Sequence, residues 1–222
     1  MTINMKAMDE TWKSQFDSRA KREDMPDYKK SCWTKEGFEE LLHLTMKFVD
    51  NIKEADPTLE TILDVGCGPG IYAKALHDKG YKITGIDYSE ETINLAKSKY
   101  PKIHFEIGSG YDLKFKDKSF DLIISIGALQ CLVDYEKFLN EISRVAGKYL
   151  IISTLWREDD GRNPTEILKK QLMEDSWPTR CYNPSEILPI LEKHGFESFA
   201  VIRDNPETGK EIKDGYFIIA ER

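Results

Sequence analysis

Three glycines, Gly66, Gly68 and Gly70, fall within five residues of the run Ile62-Leu63-Asp64-Val65-Gly66-Cys67-Gly68-Pro69-Gly70. Glycine lets a backbone turn sharply and lets a ligand approach without a β-carbon in the way, so an apolar run leading into such a loop reads as a binding turn. The dinucleotide fingerprint G-x-G-x-x-G would need its third glycine where Ile71 stands. Asp64, two residues before the first glycine, would also repel a pyrophosphate lying on this loop. A ligand without phosphate, bearing an adenosine and a cationic amino-acid end, suits the loop better, and S-adenosylmethionine (SAM) has that make-up. Asp87, 23 positions further on at the end of Ile83-Thr84-Gly85-Ile86, can accept hydrogen bonds from both hydroxyls of a ribose. Ser89 behind it is placed to start the next helix.

These groups need elements to hold them. Short apolar runs at 61–65, 82–86, 103–107, 121–126 and 149–154 read as strands. Between them Tyr72/Ala75/Leu76, Ile93/Ala96/Tyr100 and Tyr135/Phe138/Leu139/Ile142/Val145 fall at helical spacing. Such alternation implies βαβ units and a parallel sheet. Residues 1–57 are expected to form a helical N-terminal lid, and Leu41, Leu42, Thr45, Phe48, Val49 and Ile52 mark one good helix in it. Residues 155–182 interrupt the rhythm with a polar, Trp- and Arg-containing insertion. Asn183-Pro184-Ser185-Glu186 then resembles a helix start, and His194-Gly195 a helix stop. Runs at 196–203 and 215–221, joined by Asp204-Asn205-Pro206-Glu207-Thr208-Gly209, predict a closing hairpin.

The 222 residues carry 32 Lys and Arg against 39 Asp and Glu, a formal charge of -7, which disfavours a nucleic-acid binder because such proteins need a basic face. Ten Phe, ten Tyr and four Trp argue for a packed core rather than a disordered chain. Cys32, Cys67, Cys131 and Cys181 are scattered without a CxxC pair, so neither zinc nor a disulfide framework is expected, and no metal is assigned. With no signal-peptide run and no apolar stretch long enough to span a bilayer, a cytoplasmic setting is expected.

On ILDVGCGPG, ITGIDYSEETINLAKSK and FKDKSFDLIISIGALQCL, the segment from 61 to about 154 resembles the class I SAM-dependent methyltransferases, and with the hairpin the likeness runs to residue 222. Its texture is similar to the small-molecule branch typified by ubiquinone- and sterol-type enzymes. The resemblance implies an α/β, doubly wound, Rossmann-like sheet of seven strands, the last antiparallel. Residues 58–222 would form the SAM-binding domain, with the 155–182 insertion over the active site. It implies Asp64, Gly66, Cys67 and Gly68 at the methionine end and Asp87 with Tyr88 at the ribose and adenine. Ser125, Ile126 and Gly127 would approach the methionine moiety. Where relatives often carry Gly-Asp-Ala, this chain has Gly108-Ser109-Gly110-Tyr111-Asp112. The adenine amino group would then meet Ser109 or Asp112, or the Gly110 and Tyr111 backbone alone.

Methyl transfer from a sulfonium is an in-line displacement that needs alignment, plus a base if the nucleophile carries a proton. The histidine that many relatives carry after the fourth strand is replaced here by Leu129-Gln130-Cys131-Leu132, so no catalytic residue is assigned. Pocket walls for the acceptor are expected from Gln130 and from the aromatics and arginines outside the motifs: Tyr28, Trp33, Trp156, Arg157, Arg180 and Tyr182, with Trp12, Phe16, Arg19 and Trp177 in the same two segments. The function expected is methyl transfer to an O, N or C atom of a small molecule. The rivals are an RNA or protein methyltransferase and a non-catalytic SAM-fold subunit.

Overall fold

The computed structural model describes residues 5–31, 33–156, 180–212 and 215–222. Three helices come first: α1 (Met5–Ala20), α2 (Asp27–Lys30) and α3 (Lys35–Ala55). Then β1 (Thr61–Val65), α4 (Ile71–Asp78), β2 (Lys82–Asp87), α5 (Glu90–Lys99), β3 (His104–Ile107) and β4 (Phe120–Ile126) alternate. A 3-10 turn at Leu129–Cys131 leads to α6 (Tyr135–Val145), β5 (Ala146–Thr154), α7 (Pro184–Lys193), β6 (Ser198–Ile202) and β7 (Tyr216–Glu221).

The seven strands form one sheet in the order β3-β2-β1-β4-β5-β7-β6. β1 pairs in parallel with β2 and β4, and β7 runs antiparallel to both neighbours, β5 and β6. Ile62, Leu63, Leu122, Ile123 and Ile124 are wholly buried because helices cover both faces, which is why the central strands read as continuous apolar runs rather than alternating ones. On one face Leu41, Leu44, Phe48 and Val49 of α3 pack with α4 and α5, so α3 shares the sheet's own core. On the other, Phe138, Leu139, Ile142 and Val145 of α6 pack with Ile187 and Leu191 of α7.

The local signals work as their chemistry demands. Thr34 and Ser89 accept from Gly37 N and Thr92 N at the starts of α3 and α5. Asn183 and Glu186 close a reciprocal capping box ahead of Pro184. β5 starts three residues earlier than expected, because α6 ends at Val145 and the chain is already extended at Ala146. Gly147 is needed there, since a Cβ would lie 2.8 Å from the Phe120 carbonyl oxygen. The hairpin turn is fixed by Asn205 N donating to Lys210 O (2.7 Å) and Gly209 N donating to Asn205 O (2.8 Å). Arg157, Trp177 and most of the expected insertion lie outside the described residues.

Candidate functional site

The loop after β1 crosses the point where β1's neighbours β2 and β4 send their connections to opposite sides, the switch point where open α/β sheets bind ligands. Gly66, Gly68 and Gly70 all take positive φ, at 80°, 52° and 83°. The loop is tied to the neighbouring strand by Gly66 N and Cys67 N, which both donate to Ile86 O (2.8 and 3.0 Å). Gly68 N donates to Asp87 Oδ2 (3.0 Å), and Ser89 N donates to Asp87 Oδ1 (2.9 Å). The Asp87 carboxylate therefore joins the glycine loop to the start of α5, leaving lone pairs for further donors.

A cavity of about 390 Å³ opens over these groups. It is walled by Gly66, Cys67, Gly68, Asp87, Tyr88, Ser109, Gly110, Tyr111, Ile126 and Trp33 of the expected residues, with Gly127 and Ala128 beside them. Trp33 lies tight on the end of β4: a Cβ added to Gly127 would fall 2.1 Å from its Cζ2. Helix α1 adds Asp9, Lys13, Phe16 and Ala20 to the wall, and Lys30 and Ser31 come from α2 and its end. Trp12 is buried and stacks on Phe16 (5.5 Å between centroids), which meets Tyr88 edge-on at 6.4 Å. Ser89 Oγ lies 2.6 Å from the Asp17 carboxylate, holding α1 against the start of α5.

Other expected residues are not in the wall. Asp64 lies behind the loop, 1% exposed, and its Oδ2 has no hydrogen-bond partner. Tyr72, at the start of α4 and in the cavity wall, also has a buried hydroxyl without a partner. Ser125 is buried inside the sheet. Asp112 turns outward onto Lys114, which removes it from the adenine alternatives. Tyr28 packs against the α3-side core, and Gln130 is buried, its backbone oxygen accepting from Arg180 N (2.9 Å). Arg180 pairs with Glu186 (3.0 Å) and lies over the rings of Tyr135 and Tyr182. Tyr182 is fully buried, with its hydroxyl donating to Leu129 O (3.2 Å). Trp156 packs edge-on against Tyr216 (5.0 Å) beneath Arg203. These four tie α7 and β7 to the rest of the fold and do not line the cavity. His43, His104 and His194 face Glu207, Glu106 and Asn140, and no histidine is in the wall.

Burial pushes the Asp64 carboxyl up to about 8, helped by the charge of Asp87, and Asp87 itself up to about 6. Unfolded, both would ionise near 3.8, so between about pH 4 and 8 the folded protein holds protons that the unfolded chain has released. Stability of the ligand-free protein therefore falls as pH rises through that window. His194, lowered by burial and by Arg222, acts in the opposite direction below about pH 6.5, so the upper part of the window is the informative one. The thermal midpoint is expected to drop between about pH 6.5 and 8, and less so in Asp64→Asn, which has no such proton to lose. Equal slopes for the two proteins would contradict this.

Residues 63–151 match the family described as methyltransferase domain. The matched segment carries the glycine loop and the β4 end that resemble class I SAM-dependent methyltransferases. The chain is 28% identical to a Mycolicibacterium smegmatis protein described as a probable S-adenosylmethionine-dependent methyltransferase, over 61% of this chain and 51% of that one. It is 32% identical to the 2-methyl-6-phytyl-1,4-hydroquinone methyltransferase of a Synechocystis species, over 54% and 41%. The chain thus spans about half the length, or less, of these curated relatives. The crystal structure of the magnesium protoporphyrin IX methyltransferase of Synechocystis, with bound SAH, superposes at a TM-score of 0.69. That match covers 99% of this chain and 98% of the other at 18% identity, and establishes the seven-stranded methyltransferase fold. Of the α1 wall the sequence pointed to Phe16 but not to Asp9, Lys13 or Ala20, although the four stand at i, i+4, i+7 and i+11.

Proposed function

We propose that this protein is a SAM-dependent methyltransferase that methylates an O, N or C atom of a small molecule. One observation carries the reading: a single cavity runs from the glycine loop to Asp87, Tyr88 and the Ser109–Tyr111 turn, with two buried polar atoms behind and beside the loop still without partners. The Tyr72 hydroxyl, in the wall, suits a polar group at the amino-acid end of SAM, and Asp64 behind the loop favours the ammonium there by its charge rather than by contact. The Asp87 carboxylate suits the ribose hydroxyls, and Tyr88 the face of the base. When bound, SAM supplies a methyl group made electrophilic by its sulfonium.

The chain's own contribution is placement. Gly66 and Gly68 give the ligand close approach to the backbone, Asp87 fixes the sugar, and Trp33 closes the β4 end against water. Residues 1–57 act as the lid, because α1 and α2 contribute wall to the cavity while α3 anchors them in the core. With no histidine in the wall, rate enhancement comes mainly from alignment, which can supply about 7–11 kcal/mol of a barrier. A small-molecule acceptor is favoured by the -7 charge, which does not suit RNA, and by relatives named for a hydroquinone and a porphyrin. The proposed compartment is the cytoplasm; among the described residues no helix is long and apolar enough to cross a membrane.

Calorimetry with SAM is expected to give a micromolar dissociation constant, about -8 kcal/mol at 1 μM. Methyl-labelled SAM incubated with a metabolite extract should then yield labelled small molecules. No detectable SAM binding would end the proposal, and binding without turnover in any extract would favour the non-catalytic subunit.

A further inference from the structure

We propose that Asp9, on helix α1, accepts the hydrogen bond from the exocyclic amino group of the bound adenine and so selects adenosyl over other nucleosyl ligands. The inference rests on the cofactor reading above and adds a residue to it from outside the sheet domain. The cavity wall continues from Asp87 and Tyr88 to the Ser109–Tyr111 turn after β3 and to Asp9, so the base of an adenosyl ligand whose ribose meets Asp87 has room at that end. Its amino group is a hydrogen-bond donor and needs an acceptor there.

Few groups in the wall can meet that need. Among the described residues the carboxylates of the wall are Asp9 and Asp87, and the cofactor reading already gives the free lone pairs of Asp87 to the ribose hydroxyls. Ser109 Oγ already accepts from Tyr111 N (3.2 Å), and its remaining proton suits a ring nitrogen rather than an amino group. Asp112 faces Lys114 instead.

Asp9 is held where it is wanted. Tyr111, in the turn after β3, has its hydroxyl oxygen accepting from Val133 N (3.0 Å), so its own proton points to Asp9 Oδ1 at 3.2 Å. Half-buried at the cavity edge, the carboxylate gains from any donor the ligand brings. Three turns of α1 follow the same face, with Trp12, Phe16 and Asp17 fixing the helix over Tyr88 and Ser89. Adenine recognition and the seating of α1 are therefore one event: a ligand that satisfies Asp9 also fastens the N-terminal helix.

The test compares S-adenosylhomocysteine with S-inosylhomocysteine, whose 6-oxo group reverses the donor to an acceptor, by calorimetry. Wild type should prefer the adenosyl ligand by on the order of 100-fold, the worth of one charge-assisted hydrogen bond set against a repulsive contact. Asp9→Asn, able to present an amide donor instead, should bring the ratio to within about 5-fold of unity, whereas Asp112→Asn, outside the wall, should leave it unchanged. Tyr111→Phe, which keeps the ring but no longer aims Asp9, should lower the ratio partway and stands in if Asp9→Asn does not fold. A wild-type ratio retained in Asp9→Asn overturns the inference, as does lost turnover with the ratio intact, which would place Asp9 on the acceptor. Failure of wild type to bind either ligand would instead remove the cofactor reading itself.

Discussion

Gly66→Ala is expected to cost about 2–4 kcal/mol of stability and to weaken SAM binding at least about tenfold, the first from two additive sources. The residue sits at φ +80°, where a side chain is strained, and its new Cβ would lie 2.6 Å from the Cβ of Ala128. Real β-carbons do not approach that closely, and neither partner is a flexible side-chain tip. The loops after β1 and β4 would have to part. Gly66 N and Cys67 N are pinned to Ile86 O, so the strain is carried into the wall formed by Gly66, Cys67 and Gly68. Gly80 provides the control, with φ +93° and nothing within 4 Å of the added Cβ. Gly80→Ala should show only the backbone cost, about 1–2 kcal/mol, with SAM affinity unchanged. Adding Ala128→Gly to Gly66→Ala should recover the steric part alone, a coupling of about 1–3 kcal/mol. Urea denaturation and calorimetry of the four proteins decide it. If Gly66→Ala is no worse than Gly80→Ala, the two loops do not abut in the way described.

Legibility in the sequence followed the range of the interaction being read. The strand 61–65 was readable to the residue, because helices on both faces make Ile62, Leu63 and Val65 apolar, between a proline turn and a glycine loop. Asp87 was readable for the same reason: its position at a strand end fixes its neighbours. Asp64 stood out in the sequence as a charge ill suited to phosphate, but sequence alone does not say that it lies behind the loop. That depends on how α4 packs. Arg180 and Tyr182 show the general difficulty. An aromatic beside an arginine reads equally well as a pocket wall or as a pin, and the outcome here turns on Glu186, which has a local duty in the helix cap and a tertiary one in the ion pair. Asp9 was missed for a related reason. The large aromatics of 12–33 carry a strong local signal, while the wall-forming stripe of α1 mixes a carboxylate, a lysine, a phenylalanine and an alanine. A cavity-lining helix face need not be apolar, so hydrophobic periodicity passes over it.

Asp87→Ala is expected to reduce SAM affinity by about 100-fold or more, while changing stability little. Each ribose hydroxyl donating to an ionised carboxylate contributes about 1.5–3 kcal/mol, so losing both costs about 3–6 kcal/mol of binding. The fold responds differently, because the carboxylate both helps and harms it. Moving from 3.8 to about 6, its ionised form costs the ligand-free protein about 3 kcal/mol at neutral pH, and removing it relieves that cost. Removing it also leaves Gly68 N and Ser89 N without their acceptor, at about 1–3 kcal/mol each, and the two effects roughly offset. Asp87→Asn is no gentler a change. Its single oxygen can serve one of the two backbone donors, and its amide nitrogen must then face the other, donor against donor. Asp64 should respond as well, losing the upward push that the Asp87 charge gives it, so the pH dependence of stability moves to lower pH in Asp87→Ala. SAM binding within about tenfold of wild type in Asp87→Ala would mean the carboxylate serves the loop and not the sugar. A collapse in binding with an unchanged unfolding midpoint has one explanation: a charge kept buried at the fold's expense because the ligand's hydroxyls need it.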